Sequence, residues 1–110
     1  MEIKSKFTHY RQLDSKDCGP TCLRMIAKHY GKTFSREFLR DKSSITKSGV
    51  TMAGIAEAAE EIEMRSLGLR LSIESLVNEA PTPFVAHWRQ KHFVVVYKTT
   101  KSRIYVADPA

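Results

Sequence analysis

A thiol is the strongest nucleophile this chain offers, and one of its two cysteines stands where a nucleophile works best. The stretch Gln12-Leu13-Asp14-Ser15-Lys16-Asp17-Cys18-Gly19-Pro20-Thr21-Cys22-Leu23 passes from a polar loop into a helix. Gly19 and Pro20 mark the turn, and proline is tolerated in a helix's first turn because its missing N–H would be unpaired there anyway. Cys18 therefore falls at or beside a helix N-terminus, next to unpaired backbone N–H groups and the positive end of the helix dipole. Both favour the thiolate, the reactive form. Gln12, six residues upstream, is a neutral donor able to fold back beside the sulfur. A lone cysteine is more often a small buried hydrophobe, so the reading of Cys18 as a nucleophile depends on a base.

His92 supplies one through its register. His92-Phe93-Val94-Val95-Val96-Tyr97 and Arg103-Ile104-Tyr105-Val106-Ala107 read as strands joined by Lys98–Ser102. A hairpin centred on Thr100 sets Tyr97 opposite Arg103, Val96 opposite Ile104, Val94 opposite Val106 and His92 opposite Asp108. Opposed residues share a face, with Cβ atoms roughly 4.5–5.5 Å apart. A carboxylate on one imidazole nitrogen would fix the ring and leave the other nitrogen for a thiol. A slip of one residue would separate the pair. His29, late in the first helix, and His87, in mid-strand, are weaker candidates. His9 and Tyr10 have no evident partner in sequence.

Cys18, Cys22, His29 and His92 are also potential zinc ligands. The cysteine spacing is not that of a zinc knuckle and no second pair exists, so no metal is expected. Gly49 and Gly54 fit neither nucleotide-binding fingerprint, so no cofactor is expected.

Several elements must position these groups. Apolar residues at Cys22, Leu23, Ile26, Ala27 and Tyr30 predict a first helix over 18–30, stopped by Gly31. Ser35 caps a short helix over 36–42 with Phe38 and Leu39 inward. After a polar loop over 43–49, a third helix spans 51–64, with Met52, Ile55, Ala56, Ala59 and Ile62 on its apolar stripe. An extended segment over 66–71 leads to a short helix capped by Ser72, with Ile73, Leu76 and Val77 inward. Pro81 and Pro83 end it, and strands follow at 84–88, 92–97 and 103–107. Helices first and an antiparallel sheet last make an α+β domain.

The 110 residues suit one domain with a modest core. No run is long enough to span a membrane, and Met1 to Phe7 lacks the apolar core of a signal peptide. The chain is read as soluble, with reduced thiols and a cytoplasmic setting. The net charge of +6 is scattered over the sequence. Without a basic strand interleaved with aromatics, it points to solvated surface and a bias toward acidic partners rather than to nucleic acid.

The ordered set of Gln12, Asp17-Cys18-Gly19-Pro20-Thr21-Cys22-Leu23 with Met25-Ile26, His29-Tyr30-Gly31, Gly49, Pro83, His92-Phe93-Val94-Val95 and Asp108-Pro109 resembles the C39 peptidases. These papain-like domains stand at the N-terminus of ABC transporters that process and export bacteriocins and other peptides with double-glycine leaders. The resemblance spans nearly the whole of 1–110. It implies a papain-like fold with N-terminal helices packed on the sheet, Cys18 as nucleophile, His92 as base, Asp108 orienting His92, and Gln12 donating to the oxyanion. It implies cleavage after Gly-Gly or Gly-Ala at the end of a leader, which docks as an amphipathic helix in an apolar groove. The partners it implies are the precursor peptide and the transporter's membrane and ATPase domains, at the cytoplasmic side of the bacterial plasma membrane. ATP would bind only to that absent ATPase domain. The family domain usually continues past Asp-Pro, so a trimmed domain is expected at Ala110. The alternative is a degenerate docking domain that binds the export substrate without cutting it. Such domains lose the nucleophile, whereas this chain keeps Cys18, His92 and Gln12.

Overall fold

The computed structural model of the chain describes residues 7–43, 45, 49–88 and 92–110. The chain before Phe7, most of the loop before Gly49 and the turn between the first two strands lie outside these residues.

α1 (Cys18–His29) begins as the sequence predicts and ends one residue early, with Tyr30 as its C-cap. Gly31 then takes a φ of 84°, the left-handed conformation that glycine adopts at little cost. Lys28 and His29 sit in the last turn, where cations complement the helix dipole. α2 (Arg36–Lys42), α3 (Met52–Glu61) and α4 (Ile73–Glu79) follow. Each is started by a hydroxyl accepting the N–H three residues on: Ser35 from Phe38, Thr51 from Gly54, and Ser72 from Ser75. α3 stops short of the predicted Met64, because Ile62 is its C-cap and Glu63 turns left-handed at φ 65°.

β1 (Phe84–Trp88), β2 (His92–Thr99) and β3 (Ile104–Ala107) form an antiparallel sheet in the order β1-β2-β3. α1 is the middle layer of the molecule. Its Cys18, Cys22, Met25 and Ile26 pack with Phe93, Val95 and Ala107 on the sheet. Its Leu23 and Ala27 pack with Leu39 of α2 and with Ala58, Ala59 and Ile62 at α3. The α+β layout expected from sequence is the one observed. Among the described residues, no helix is long and apolar enough to cross a membrane.

Four sequence expectations are corrected. Tyr30 is not inward but 60% exposed, since the helix ends before it. Phe38 is exposed and stacks on Phe34, with ring centroids 5.5 Å apart, leaving Leu39 alone to fill the seam with α1. Ile73 is 77% exposed, because seven-residue α4 docks by its other end, where Val77 O accepts the Thr99 hydroxyl at 3.3 Å. The β2–β3 register pairs Val96 with Val106 and Val95 with Ala107, two residues away from the predicted pairing. The irregularity falls between Val96 and Lys98, so Tyr97 is the residue without a partner. On the His92 side of the irregularity the slip is two, which keeps side chains on their predicted face because strand alternation has a period of two; beyond it Lys98 pairs with Tyr105 and Thr99 with Ile104, a slip of three.

α3 is pressed against the end of α2 at Gly54. A Cβ there would stand 2.5 Å from the Ser43 carbonyl oxygen and 3.2 Å from Val50. Glycine to alanine ordinarily gains about 1 kcal/mol in a helix. At Gly54 the overlap with backbone dominates, and Gly54→Ala is expected to destabilise by about 1–3 kcal/mol. A urea midpoint equal to or above that of the parent chain would show that the α2–α3 seam opens freely.

Candidate active site

His92 opens β2, and Asp108 follows the last residue of β3. Continuing the observed register from the Val95–Ala107 pair sets Asp108 beside Val94, one diagonal step from His92. Diagonal neighbours remain within reach of long side chains. His92 Nε2 indeed lies 2.6 Å from Asp108 Oδ1. The contact expected from sequence is present, reached diagonally rather than directly across.

The protonation of this pair follows from chemistry. Asp108 Oδ1 also accepts the Ala110 N–H at 2.9 Å. Partial burial pushes the Asp108 carboxyl up, but the His92 hydrogen bond, the Ala110 N–H and the charges of His92 and His9 outweigh it and hold the group below the usual carboxylate range. An ionised carboxylate only accepts, so His92 Nε2 carries the proton. In neutral His92 the lone pair is then on Nδ1, which makes no hydrogen bond among the described residues.

Cys18 is the first residue of α1 and is 6% exposed. It belongs to the core cluster that contains Phe93 and Ala107, the chain neighbours of His92 and Asp108. No hydrogen bond joins its sulfur to His92 among the described residues. Asp17, the N-cap, gives no side-chain cap, and Pro20 lacks an N–H, so the Cys18 and Gly19 N–H groups remain the free donors of the first turn. Cys22 lies one turn deeper, fully enclosed. Burial pushes its thiol far up, with the neighbouring Cys18 and Asp108 adding to the effect.

Gln12 is tied to the same end of the sheet. Its backbone N–H donates to Pro109 O at 2.7 Å, and its side-chain Nε2 donates to Asp14 O at 3.1 Å. Its Oε1 is buried, with no hydrogen-bond partner among the described residues. The other histidines lie elsewhere or act differently. His29 packs edge-on against Tyr30 at 5.0 Å. His87 stacks on Phe93, its partner across the ladder, at 4.3 Å. His9 reaches the Asp108 carbonyl, and Arg24 lies 4.0 Å over the Tyr10 ring, two contacts that no sequence pattern announced. Also unannounced is the buried Asp17, whose Oδ1 lies 2.9 Å from Arg40 Nε. Among the described residues, no three His, Cys, Asp or Glu side chains converge as metal ligands.

The Peptidase C39 family matches over residues 6–110. The chain is 36% identical over 99 residues to the colicin V secretion/processing ATP-binding protein CvaB of Escherichia coli, covering 90% of this chain and 14% of that protein. It is 35% identical over 104 residues to the lactococcin-G-processing and transport ATP-binding protein LagD of Lactococcus lactis, covering 90% of this chain and 15% of that one. The chain thus spans only about one seventh of the length of these relatives. Among solved structures, the peptidase domain of Streptococcus ComA superposes with a TM-score of 0.85 at 31% identity, over 94% of this chain and 80% of that one. A double glycine motif protease from an AMS/PCAT transporter, solved with a leader peptide, superposes with a TM-score of 0.91 at 28% identity, over 96% of this chain and 75% of that one. With its helices-on-sheet fold and its His92–Asp108 contact beside the start of α1, the chain belongs to the peptidase C39 family.

Proposed function

We propose that this domain is a cysteine endopeptidase that removes a double-glycine leader from a bacteriocin-type precursor, as the cytoplasmic peptidase part of an exporting ABC transporter. The observation that carries the reading is the His92–Asp108 contact, which leaves Nδ1 of a neutral imidazole as the only ring base, at the sheet end where α1 begins with Cys18. The sulfur proton passes to His92 Nδ1, and the thiolate adds to the carbonyl carbon of the residue before the scissile bond. His92 then returns the proton to the departing amine, leaving a thioester on Cys18. Water attacks the thioester with His92 again as base, releasing the leader's carboxylate and the free thiol. Asp108 holds the ring and stabilises its charged form. Gln12 Nε2 has a second hydrogen beyond the one given to Asp14, and with the Cys18 N–H it is available to the developing oxyanion.

The near-complete burial of Cys18 supports a substrate with little side chain at the cut. Glycine allows a backbone to approach closely where a Cβ would collide. A site that contacts only backbone gains little affinity, so recognition must reside elsewhere. An apolar groove of about 430 Å³ runs beside α1 and α3, lined by Leu23, Ile26, Ile55, Met64 and Phe84, with Arg65 among its polar residues. It begins one turn along α1 from Cys18 and extends to Tyr30, about 18 Å along the axis. The PCAT-type protease was solved with a leader peptide, which supports leader binding by this domain, and an apolar groove of this kind suits the apolar face of an amphipathic helix. The net charge of +6 favours acidic residues on that leader. No cofactor takes part, and the ATP-dependent step belongs to the transporter.

Three experiments test the reading. Iodoacetamide near neutral pH is expected to label Cys18 well before Cys22, whose burial suppresses its thiolate. Peptide mapping that found Cys22 labelled first would sink the assignment. On a synthetic precursor ending its leader in Gly-Gly, His92→Ala is expected to lose roughly 10²–10⁴ in rate, and Gln12→Ala on the order of 10²–10³ in turnover. Asp108→Ala should retain more activity than His92→Ala, because Asp108 does not itself take the proton. Wild-type turnover in His92→Ala would transfer the role of base to another group. Replacing the small residue at the cut with Val should lower kcat, whereas replacing a leader leucine with Ala should raise KM. Equal cleavage of a short Gly-Gly peptide without the leader would refute divided recognition.

A further inference from the structure

Asp108 sits in a position that the sheet does not hold. The last β2–β3 pair is Val95 with Ala107, so the Asp108 backbone lies beyond the ladder. Pro109 follows, and a proline has no N–H with which to pair. Ala107 and Pro109 are both buried, which fixes the segment at its two sides. The Pro109 ring fixes the torsion on its own side of the peptide, which leaves the Asp108 N–Cα bond as the torsion that sets where the Asp108 carbonyl and side chain both point, and that side chain, 53% exposed, gains little from packing. Rotation about that bond would carry the carbonyl and the carboxylate together, swinging the carboxylate off His92.

The Ala110 N–H that donates to Asp108 Oδ1 at 2.9 Å belongs to the same segment and moves with it; the N-terminal segment supplies a restraint from outside. His9 Nε2 donates to the Asp108 carbonyl oxygen at 2.5 Å. A carbonyl only accepts, so His9 carries its proton on Nε2 in this contact. Three residues later, the Gln12 N–H donates to the next carbonyl, that of Pro109, at 2.7 Å. The two bonds grip consecutive carbonyls of the chain that follows β3. We propose that His9 is a positioning residue: by fixing the Asp108 carbonyl it keeps the Asp108 carboxylate on His92 Nε2, and thereby keeps Nδ1 aimed for the thiol. The inference rests on the reading of His92 as base and Asp108 as its orienting partner. His9 is exposed and packs into no core cluster, so its replacement removes a hydrogen bond without opening a cavity.

The test uses the whole chain and a synthetic precursor whose amphipathic leader ends in Gly-Gly. Misplacing a catalytic group by about 1 Å can cost 10²-fold; a loosened orienting partner should cost less. His9→Ala is expected to lower kcat roughly threefold to tenfold with KM unchanged. His9→Gln, whose amide N–H extends to about the same place as Nε2, should restore most of the loss, and His9→Asn, one carbon shorter, should not. In an Asp108→Ala background His9→Ala should add nothing, since residues acting through one contact are not additive. A readout independent of activity is the hydrogen-bonded Nε2 proton of His92, seen far downfield by NMR. It should broaden or vanish in His9→Ala and return in His9→Gln. If Asp108→Ala is defective while His9→Ala keeps both full kcat and the downfield proton, the His9 proposal is overturned and the site reading stands. A full His9→Ala defect persisting in the Asp108→Ala background would also overturn it. Wild-type turnover in Asp108→Ala would remove the site reading itself, and the His9 proposal with it.

Discussion

The seating of α1 on β2 sets every distance in the candidate site. Cys22, Met25 and Val95 are completely enclosed, and each fully buried apolar side chain of this size contributes roughly 1.5–3 kcal/mol. The helix is held from the opposite side as well, by Leu39 from α2 and by Ala58 and Ala59 from α3. A helix clamped between two layers cannot slide or roll by much, because a packed interior tolerates little change in volume. Its first residue inherits that rigidity. Cys18 is placed by the core, whereas a cysteine on a loop would have been placed by the loop. The groove beside Leu23 and Ile26 uses the same helix, so the spacing between the sulfur and the far end of the groove is the rise of an α-helix rather than the span of a flexible linker.

The other half of the site depends on the opposite kind of contact. His9 and Asp108 are 99 residues apart in sequence, and Gln12 and Pro109 nearly as far. Contacts of such separation form late, since the entropy of closing the loop between them must be met by structure already in place. Here that structure is the α1–sheet packing. Once it exists, the segment before α1 and the segment after β3 emerge side by side, and two hydrogen bonds join them. The proposed oxyanion donor and the proposed orienting carboxylate therefore lie on adjacent strands of chain. Loosening one loosens the other.

This division explains what was legible in the sequence. Ser35 and Ser72 announced their helices because capping is a local act of one hydroxyl on one nearby N–H. Cys18 at a helix start followed from Gly19, Pro20 and a short apolar stripe. The His92–Asp108 contact was also foreseen, although the detailed pairing was not. A bulge at Tyr97 moved the strands by two on the His92 side, and alternation tolerates an even slip. Ile73 and Phe38 were misread because periodicity assigns an apolar face without saying whether a partner is there to cover it. α4 is tied to the sheet near its C-terminal end, at Val77, and α2 is short enough for Leu39 alone to fill its contact. The contacts of His9 with Asp108 and of Arg40 with Asp17 left no sequence signal, since each joins residues whose proximity exists only after folding.

Two acids precede Cys18 closely in sequence, and an isolated carboxylate there would oppose a thiolate. The fold commits both to other work. Asp14 Oδ1 accepts the Lys16 N–H at 2.8 Å, bending the side chain back onto its own turn. The Asp14 carbonyl takes the Asp17 N–H at 3.0 Å and the Gln12 amide at 3.1 Å, so the residue is the hub of the turn that presents the cysteine. Asp17 is 2% exposed, and a buried carboxylate without a partner would cost several kcal/mol. Arg40 supplies the partner at 2.9 Å, approaching off the N–H axis, so the attraction is Coulombic rather than a directed hydrogen bond. A close pair of opposite charges acts on a third group as a dipole, whose field falls off faster than that of a lone charge. At Cys18 such a pair opposes a thiolate less than a lone carboxylate would. Arg40 thus pairs the acid that directly precedes the cysteine, and the same ion pair ties the short α2 to the start of α1.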